Sequence, residues 1–305
     1  MSSNSILDGN KILLSFSSKE DYGNFGDLLS KWIVEKLSGK EVIKYRHRPV
    51  EPHLCAIGSI LNRNEICSPV VVWGSGFISP QNKWKIKLTA IRQFFRGRYG
   101  KSKYFAVRGK KTRDILINAG FECPEVYGDP ALLMPTLYTP KKCNEKYRVG
   151  IICHYVHEEL PCFLKNELDG VLKIPINRSY NEITDFVDEV CSCDVIVSSS
   201  LHGLIIANAY GVPAVRMVVK GHSLHPNKSG EDRQDFKYED YLSGFNALTI
   251  DKQSAEYKLN SLFLDGEEVL TEDLIKKIYI YATRPEFKWS TKSLLDAFPY
   301  FEKNI

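Results

Sequence analysis

One histidine in this 305-residue chain is better placed for chemistry than any other. It lies in the stretch Asp194 to Val215, D-V-I-V-S-S-S-L-H-G-L-I-I-A-N-A-Y-G-V-P-A-V. The β-branched run Val195 to Val197 reads as a strand buried on both faces. Three serines follow, any of which can cap a helix. That helix carries Leu201, Leu204, Ile205 and Ala209 inward, stops at Gly211 and is fenced by Pro213. His202 and Gly203 then occupy its first turn, where N–H groups without intrahelical partners and the helix dipole favour an anion. Ser199 and Ser200 add polar groups beside them, and Gly203 leaves room for a ligand to approach the backbone. The arrangement predicts half of a catalytic cleft.

Four further loops at predicted strand ends carry candidate ligand groups. Asp21 to Asp27, D-Y-G-N-F-G-D, opens a helix with two glycines. It reads either as a tight turn capped by Asp27 or as a backbone nest with Asn24 and Asp27 as polar contacts. Gly74-Ser75-Gly76 ends an apolar strand and suits a sharp turn or the close approach of a sugar or phosphate. Arg108 closes the strand Phe105 to Val107, where its five donors can cap the sheet edge or hold a carboxylate or phosphate bidentately. Asp129, in Tyr127-Gly128-Asp129-Pro130, reads first as a cap for the segment leading to Leu133. The polar stretch Lys220 to Lys237 holds Lys220, His222, His225, Lys228, Arg233 and Lys237. It reads as a lid or as a solvated excursion. His154 and His157 lie past the Ile151-Ile152 strand without the third ligand that a metal site needs.

The elements that position these residues alternate strand and helix. The first half reads as strands Lys11 to Phe16, Leu54 to Ile57, Val70 to Trp73, Phe105 to Val107 and Val126 to Tyr127, with helices Asp27 to Leu37 and Lys111 to Ala119. After a polar linker at Pro140-Lys141-Lys142 the pattern restarts with strands Arg148 to Cys153 and Lys173 to Ile176. Helix Ile183 to Cys191, the central strand and helix, strand Ala214 to Val219, and helices Glu272 to Thr283 and Ser290 to Phe298 follow. This predicts an α/β protein of two Rossmann-like open-sheet domains facing a cleft, residues 1–141 and 142–305.

Composition narrows the setting. Hydrophobic residues make up 43% of the chain, enough for two ordinary cores. No apolar run approaches the roughly eighteen residues of a membrane span, and the N-terminus lacks signal-peptide features. The 8 cysteines form no C-x-x-C pair, and Cys191 and Cys193 read as buried thiols. A reducing cytoplasm is expected. From Lys83 to Arg113 the chain has twelve basic residues and no acidic one. Trp84, Leu88, Ile91 and Phe95 recur there at helical spacing. Such a basic amphipathic helix either faces the core with a solvated outer side or meets an anionic membrane surface or lipid-diphosphate headgroup. Nucleic acid is not expected: no base-reading motif accompanies the charge, and the net charge is only +4.

Gly23-Asn24-Phe25-Gly26-Asp27, Gly74-Ser75-Gly76, Val107-Arg108-Gly109, Gly128-Asp129-Pro130 and Ser198 to Gly203 occur in an order and spacing that resembles the polysaccharide pyruvyl transferase family. Phe236-Lys237-Tyr238 with Asp240-Tyr241 adds to it, and the resemblance spans Lys11 to Leu242. It implies a GT-B-like fold, with an acceptor side in the first domain and a donor side in the second. It also implies transfer of a pyruvyl ketal from phosphoenolpyruvate to two hydroxyls of a sugar, with phosphate released. By the same resemblance, His202 and Arg108 are catalytic or donor-binding, and no cofactor or metal is required. The expected acceptor is a sugar of a cell-surface polysaccharide or its lipid-diphosphate-linked precursor, at the inner face of the cell membrane. Many members carry arginine two positions before the histidine, where this chain has Ser200. Arg216, Lys220, Arg233 or Lys237 must then supply that cation.

The donor's chemistry suits these residues. Its phosphate and carboxylate call for several cations and N–H groups, and its enol carbon must be protonated before the neighbouring carbon becomes electrophilic. Histidine suits that role. Beside a helix N-terminus His202 is expected neutral when empty, with a bound anion raising its pKa. A GT-B glycosyltransferase using a nucleotide sugar, a non-catalytic nucleotide-binding module and a basic membrane-surface scaffold are the alternatives.

Overall fold

The buried apolar runs of the sequence assemble into two five-stranded sheets, parallel throughout. The structure, a computed structural model, describes residues 10–46, 52–62, 69–95, 102–142, 145–160, 168–220, 235–250, 256–265, 269–286 and 288–300. His222, His225, Lys228, Arg233, Arg96, Arg98 and Lys101 lie outside the described residues, as do the side chains of Lys83 and Phe95.

The first sheet is built from β1 (Lys11–Leu14), β3 (Glu41–Lys44), β4 (His53–Cys55), β5 (Val70–Trp73) and β6 (Lys103–Ala106), in the order β3-β1-β4-β5-β6. The second is built from β7 (Val149–Ile152), β8 (Val171–Lys173), β10 (Ile196–Ser198), β11 (Ala214–Lys220) and β12 (Ser261–Asp265), in the order β12-β11-β10-β7-β8. Renumbered within each sheet, both follow the doubly wound order 2-1-3-4-5. The order in which strands are added reverses between β1 and β4 in one sheet and between β7 and β10 in the other. Crevices at such reversals, outside the carboxyl ends of the strands, are where open α/β sheets bind ligands. Val126 to Tyr127, expected as a strand, makes only an isolated bridge from Tyr127 to Val107.

A third, two-stranded antiparallel sheet joins the halves: β2 (Tyr22–Asn24) pairs with β9 (Asn177–Ser179). The helix that follows β2, α1 (Phe25–Ser38), begins at Asn24, whose side chain accepts the Gly26 N–H, and ends at left-handed Gly39. Asn24 is therefore the cap, not Asp27 as the tight-turn reading expected. Phe25 donates its N–H to the Ile176 carbonyl at 2.8 Å and stacks on Phe186 at 3.8 Å between ring centroids. Phe186 belongs to α5 (Ile183–Cys191), which matches its expected bounds.

Four more helices matter for the site or the surface. They are α2 (Lys83–Phe95), α3 (Lys110–Ala119), α6 (Leu201–Ala209) and α7 (Asp235–Asn246), with α4 (Met134–Leu137) a single turn before the linker. Of the tail helices, α8 spans Glu272–Tyr281 and α9 is only Lys292–Asp296, shorter than the expected Ser290 to Phe298. The tail returns to the first sheet: the Trp73 indole N–H donates to the Leu294 carbonyl at 2.8 Å, and Phe298 packs on the Trp73 ring. One apolar cluster consequently runs through both halves, from Ile12 and Leu28 to Phe186, Leu204 and Leu294.

Candidate functional site

The serine loop sits at the reversal point of the second sheet, and hydrogen bonds fix its shape. Ser199 donates its N–H to the Ile152 carbonyl at 3.0 Å, so the loop leaves β10 beside the end of β7. Its hydroxyl accepts the His154 N–H at 2.8 Å and meets His157 Nδ1 at 3.0 Å. Ser198 Oγ accepts the Ser200 N–H. Ser200 holds the N-cap position of α6, yet its side chain makes no cap bond, and the hydroxyls of Ser198 and Ser199 are turned to other partners. The capping expected of these serines is not made. The first turn of α6 therefore presents amides with no side-chain cap, the condition that favours an anion.

Gly203 answers to packing, not to a ligand: a Cβ there would stand 2.6 Å from Ser198 Oγ and 2.9 Å from Ile152 Cδ1. The expected open approach to its backbone is filled by the protein's own side chains. His202 projects from the same turn toward α1, where a Cβ at Gly26 would fall 2.0 Å from its Nδ1. The residue is half-buried, but Nε2 is buried and no described group hydrogen-bonds to it. Burial, then the positive charges of Lys237 and Arg108, lowers the imidazole pKa to about 3. The ring is neutral at rest, and desolvation contributes more to this than any charge nearby.

Arg108 is where the sequence reading needs its main correction. It lies at the carboxyl end of β6 as expected, but its side chain is 0% exposed and faces Asp240 of α7, also 0% exposed. Nε donates to Asp240 Oδ2 at 3.0 Å, Nη2 to the Phe77 carbonyl at 2.6 Å, and Nη1 to Ser59 Oγ. With all three nitrogens engaged by protein, this arrangement leaves no bidentate face for a ligand. Asp240 also accepts the Thr112 N–H and hydroxyl, each at 2.8 Å. Glycines make the docking of α7 on this strand end feasible. A Cβ at Gly109 would fall 1.7 Å from the Asp240 carbonyl, and one at Gly244 would fall 1.8 Å from that of Arg108.

That docking brings Lys237 to bear on the histidine and Tyr238 onto the serine loop. Lys237, 8% exposed, lies one turn before Asp240 and acts electrostatically on His202. Tyr238 donates its hydroxyl to the Ser199 carbonyl at 3.0 Å. Arg216, 8% exposed on β11, lies 3.9 Å above the Tyr238 ring and pairs with Asp235. Its Nε is buried without a hydrogen-bond partner among the described residues, and it lines a cavity of about 310 Å³. Lys220, by contrast, is exposed at the far end of β11, in register with Asp265. It lies four positions, about 13 Å, along the strand from Arg216, and the described charges acting on His202 are those of Lys237 and Arg108.

The first-sheet loops supply packing as much as polar groups. Gly74 has φ +85, and a Cβ there would strike Pro130. Ser75 donates its hydroxyl to the Gly58 carbonyl, and a Cβ at Gly76 would lie 2.7 Å from the Arg108 guanidinium and from Asp240. In this loop the expected close approach is made by protein, not by a sugar. Asp27 accepts the Ser18 N–H and hydroxyl, and burial raises its pKa. Asp129 caps the turn at Pro130, its Oδ1 accepting the Ala131 N–H, as its sequence position predicts. Its Oδ2 is buried with no described partner, and burial lifts its pKa to about 6.

Sequence reasoning passed over Asp240, Thr112, Ser59 and the Ser199–His157 contact. Asp240 stood inside a recognised motif, but nothing in its spacing reveals a partner 132 residues earlier. Among the described residues no cluster of His, Cys, Asp and Glu could hold a metal ion, and no helix is long and apolar enough to cross a membrane.

The chain is 29% identical over 227 residues to an uncharacterised protein of Acanthamoeba polyphaga mimivirus, covering 73% of this chain and 71% of that protein. A functionally uncharacterised protein of Klebsiella pneumoniae, solved by crystallography, superposes with TM-score 0.42 at 13% identity, over 75% of this chain and 88% of that one. The sequence profile of the polysaccharide pyruvyl transferases matches residues 21–221, a span containing β2, α1, the Arg108 strand end and the whole serine–histidine turn. The chain belongs to the polysaccharide pyruvyl transferase family.

Proposed function

We propose that the protein transfers the enolpyruvyl group of phosphoenolpyruvate onto two hydroxyls of one sugar, forming a pyruvate ketal and releasing phosphate. The observation that carries this reading is His202: a neutral imidazole with an unbonded, buried Nε2, at an uncapped helix N-terminus and beside Lys237. An arriving phosphate and carboxylate would meet the α6 amides and Lys237, with Arg216 as the further cation in place of the arginine replaced at Ser200. The negative charge raises the histidine pKa, so the proton is loaded as the donor binds.

His202 then gives that proton to the methylene carbon, which becomes the ketal methyl group. The first sugar oxygen bonds to the neighbouring carbon, the carbon–phosphate oxygen bond breaks, and the second sugar oxygen closes the ketal. Of the two hydroxyl protons, one restores His202 and the other leaves with phosphate. Arg108 acts from behind, as a fixed charge and as the anchor of α7. We assign the donor to the second sheet and the acceptor to the loops of the first, in a GT-B-like pairing without cofactor or metal. The acceptor is a lipid-diphosphate-linked oligosaccharide at the inner face of the membrane. Acceptor-dependent phosphate release from phosphoenolpyruvate tests the reading. Turnover of a nucleotide sugar with no such release would move the assignment to glycosyl transfer.

A further inference from the structure

Helix α2 is docked by its narrow side. Ile86 and Thr89 are buried beneath it, and Ala90 is half-buried. Trp84, Leu88 and Ile91, the residues whose spacing suggested a core face, point outward and are 75%, 53% and 44% exposed. The helix does face the core, through Ile86 and Thr89, but the apolar stripe is not the side it buries. They recur at i, i+4 and i+7, so they form one continuous stripe. Lys85, Lys87 and Arg92 flank it, all exposed, and no ion pair among the described residues uses any of them. The Lys87 ammonium lies 5.7 Å from the centre of the Trp84 ring.

Singly exposed apolar residues are ordinary, but a stripe of three headed by tryptophan marks a contact surface. Its chemistry selects the partner. A second copy of α2 would oppose like charges, because no aspartate or glutamate occurs from Lys83 to Arg113 to receive them. An anionic bilayer offers negative phosphates at the depth of the lysines and hydrocarbon just beneath, and tryptophan prefers that boundary.

We propose that α2 is an in-plane membrane anchor: Trp84, Leu88 and Ile91 enter the headgroup layer of an anionic bilayer, and Lys85, Lys87 and Arg92 rest on its phosphates. The stripe shares no residue with the His202 site and would seat on lipid whichever reaction that site performs.

Flotation of the full chain with phosphatidylcholine vesicles, with and without phosphatidylglycerol, tests this. Binding is expected only with the anionic lipid and should weaken with added salt. Neutralising Lys85, Lys87 and Arg92 together to glutamine should lower the partition coefficient on the order of a hundredfold, at about fivefold per charge. Trp84→Ser with Leu88→Ser should abolish flotation without lowering the melting temperature, because both side chains are already in water. Trp84→Phe keeps an aromatic ring and should remove the blue-shifted component that vesicles add to the fluorescence. Equal flotation with neutral vesicles, no flotation at all, or survival of binding in the double serine variant would overturn the proposal. So would sedimentation showing that the stripe pairs two copies of the chain.

Discussion

His202 is an acid only while a ligand charges it. With its pKa held at about 3 by burial and by Lys237 and Arg108, the free imidazole carries no proton at neutral pH. Binding of phosphoenolpyruvate should therefore take up roughly one proton per site as the anion raises that pKa. Calorimetry in buffers of different ionisation enthalpy measures this directly, and His202→Gln should bind the donor without uptake. Uptake of no proton by the parent would remove the histidine from the acid role. Asp129 offers a test of the opposite sign. Its folded pKa of about 6 lies above the ordinary 3.8, so its contribution to stability is full below 3.8 and lost as pH rises through 6. Asp129→Asn keeps the cap acceptor for the Ala131 N–H and removes the buried charge. Urea unfolding should show the variant gaining on its parent as pH rises through that window, whereas a constant difference would contradict the assignment.

At the scale of elements, the first turn of α1 presses its glycine against the histidine ring. Gly26→Ala raises helix propensity by up to about 1 kcal/mol, but the new Cβ would lie 2.0 Å from His202 Nδ1. The expected outcome is a melting temperature near that of the parent and turnover reduced at least tenfold; full turnover would show that the ring need not sit where it does. What the sequence could reveal follows the same division. Helix α5 was legible from end to end because Ile183, Phe186, Val187 and Val190 recur at helical spacing and all are buried. Strands β2 and β9 were not, since three residues each carry too little pattern and their partners lie far apart in the chain. The stripe of α2 was visible but not its direction, because periodicity groups residues on one face without saying which side the fold buries. Glycines mislead in a related way: Gly76, Gly109 and Gly203 do mark close approach, and in each case the neighbour is a protein atom.

Across the whole molecule, the second half reaches back to the first through β9, α7 and the tail. Among the described residues the Arg108–Asp240 pair is the most buried ion pair. Arg108→Met leaves the Asp240 carboxylate buried with only Thr112, and breaking such a pair costs about 3–5 kcal/mol. Replacing both partners, Arg108→Met with Asp240→Leu, should recover most of that stability in denaturant unfolding. If Arg108 were instead an open ligand clamp, the single substitution would weaken donor binding and leave stability unchanged. The matched strand order of the sheets was legible only as alternation, since sequence gives strand count more readily than neighbours. The site emerges where the halves meet, with His202 from one, Gly26 from the other, and Lys237 carried in on α7. The decisive measurement is transfer itself, run in deuterated water with phosphoenolpyruvate and lipid-linked oligosaccharide acceptors and read by mass spectrometry alongside phosphate release. The expected result is an acceptor bearing one pyruvate ketal with a solvent deuteron in its methyl group, one phosphate released for each ketal, and near-complete loss in His202→Gln. A ketal formed at an undiminished rate by the glutamine variant, or no ketal from any acceptor beside turnover of a nucleotide sugar, would contradict it.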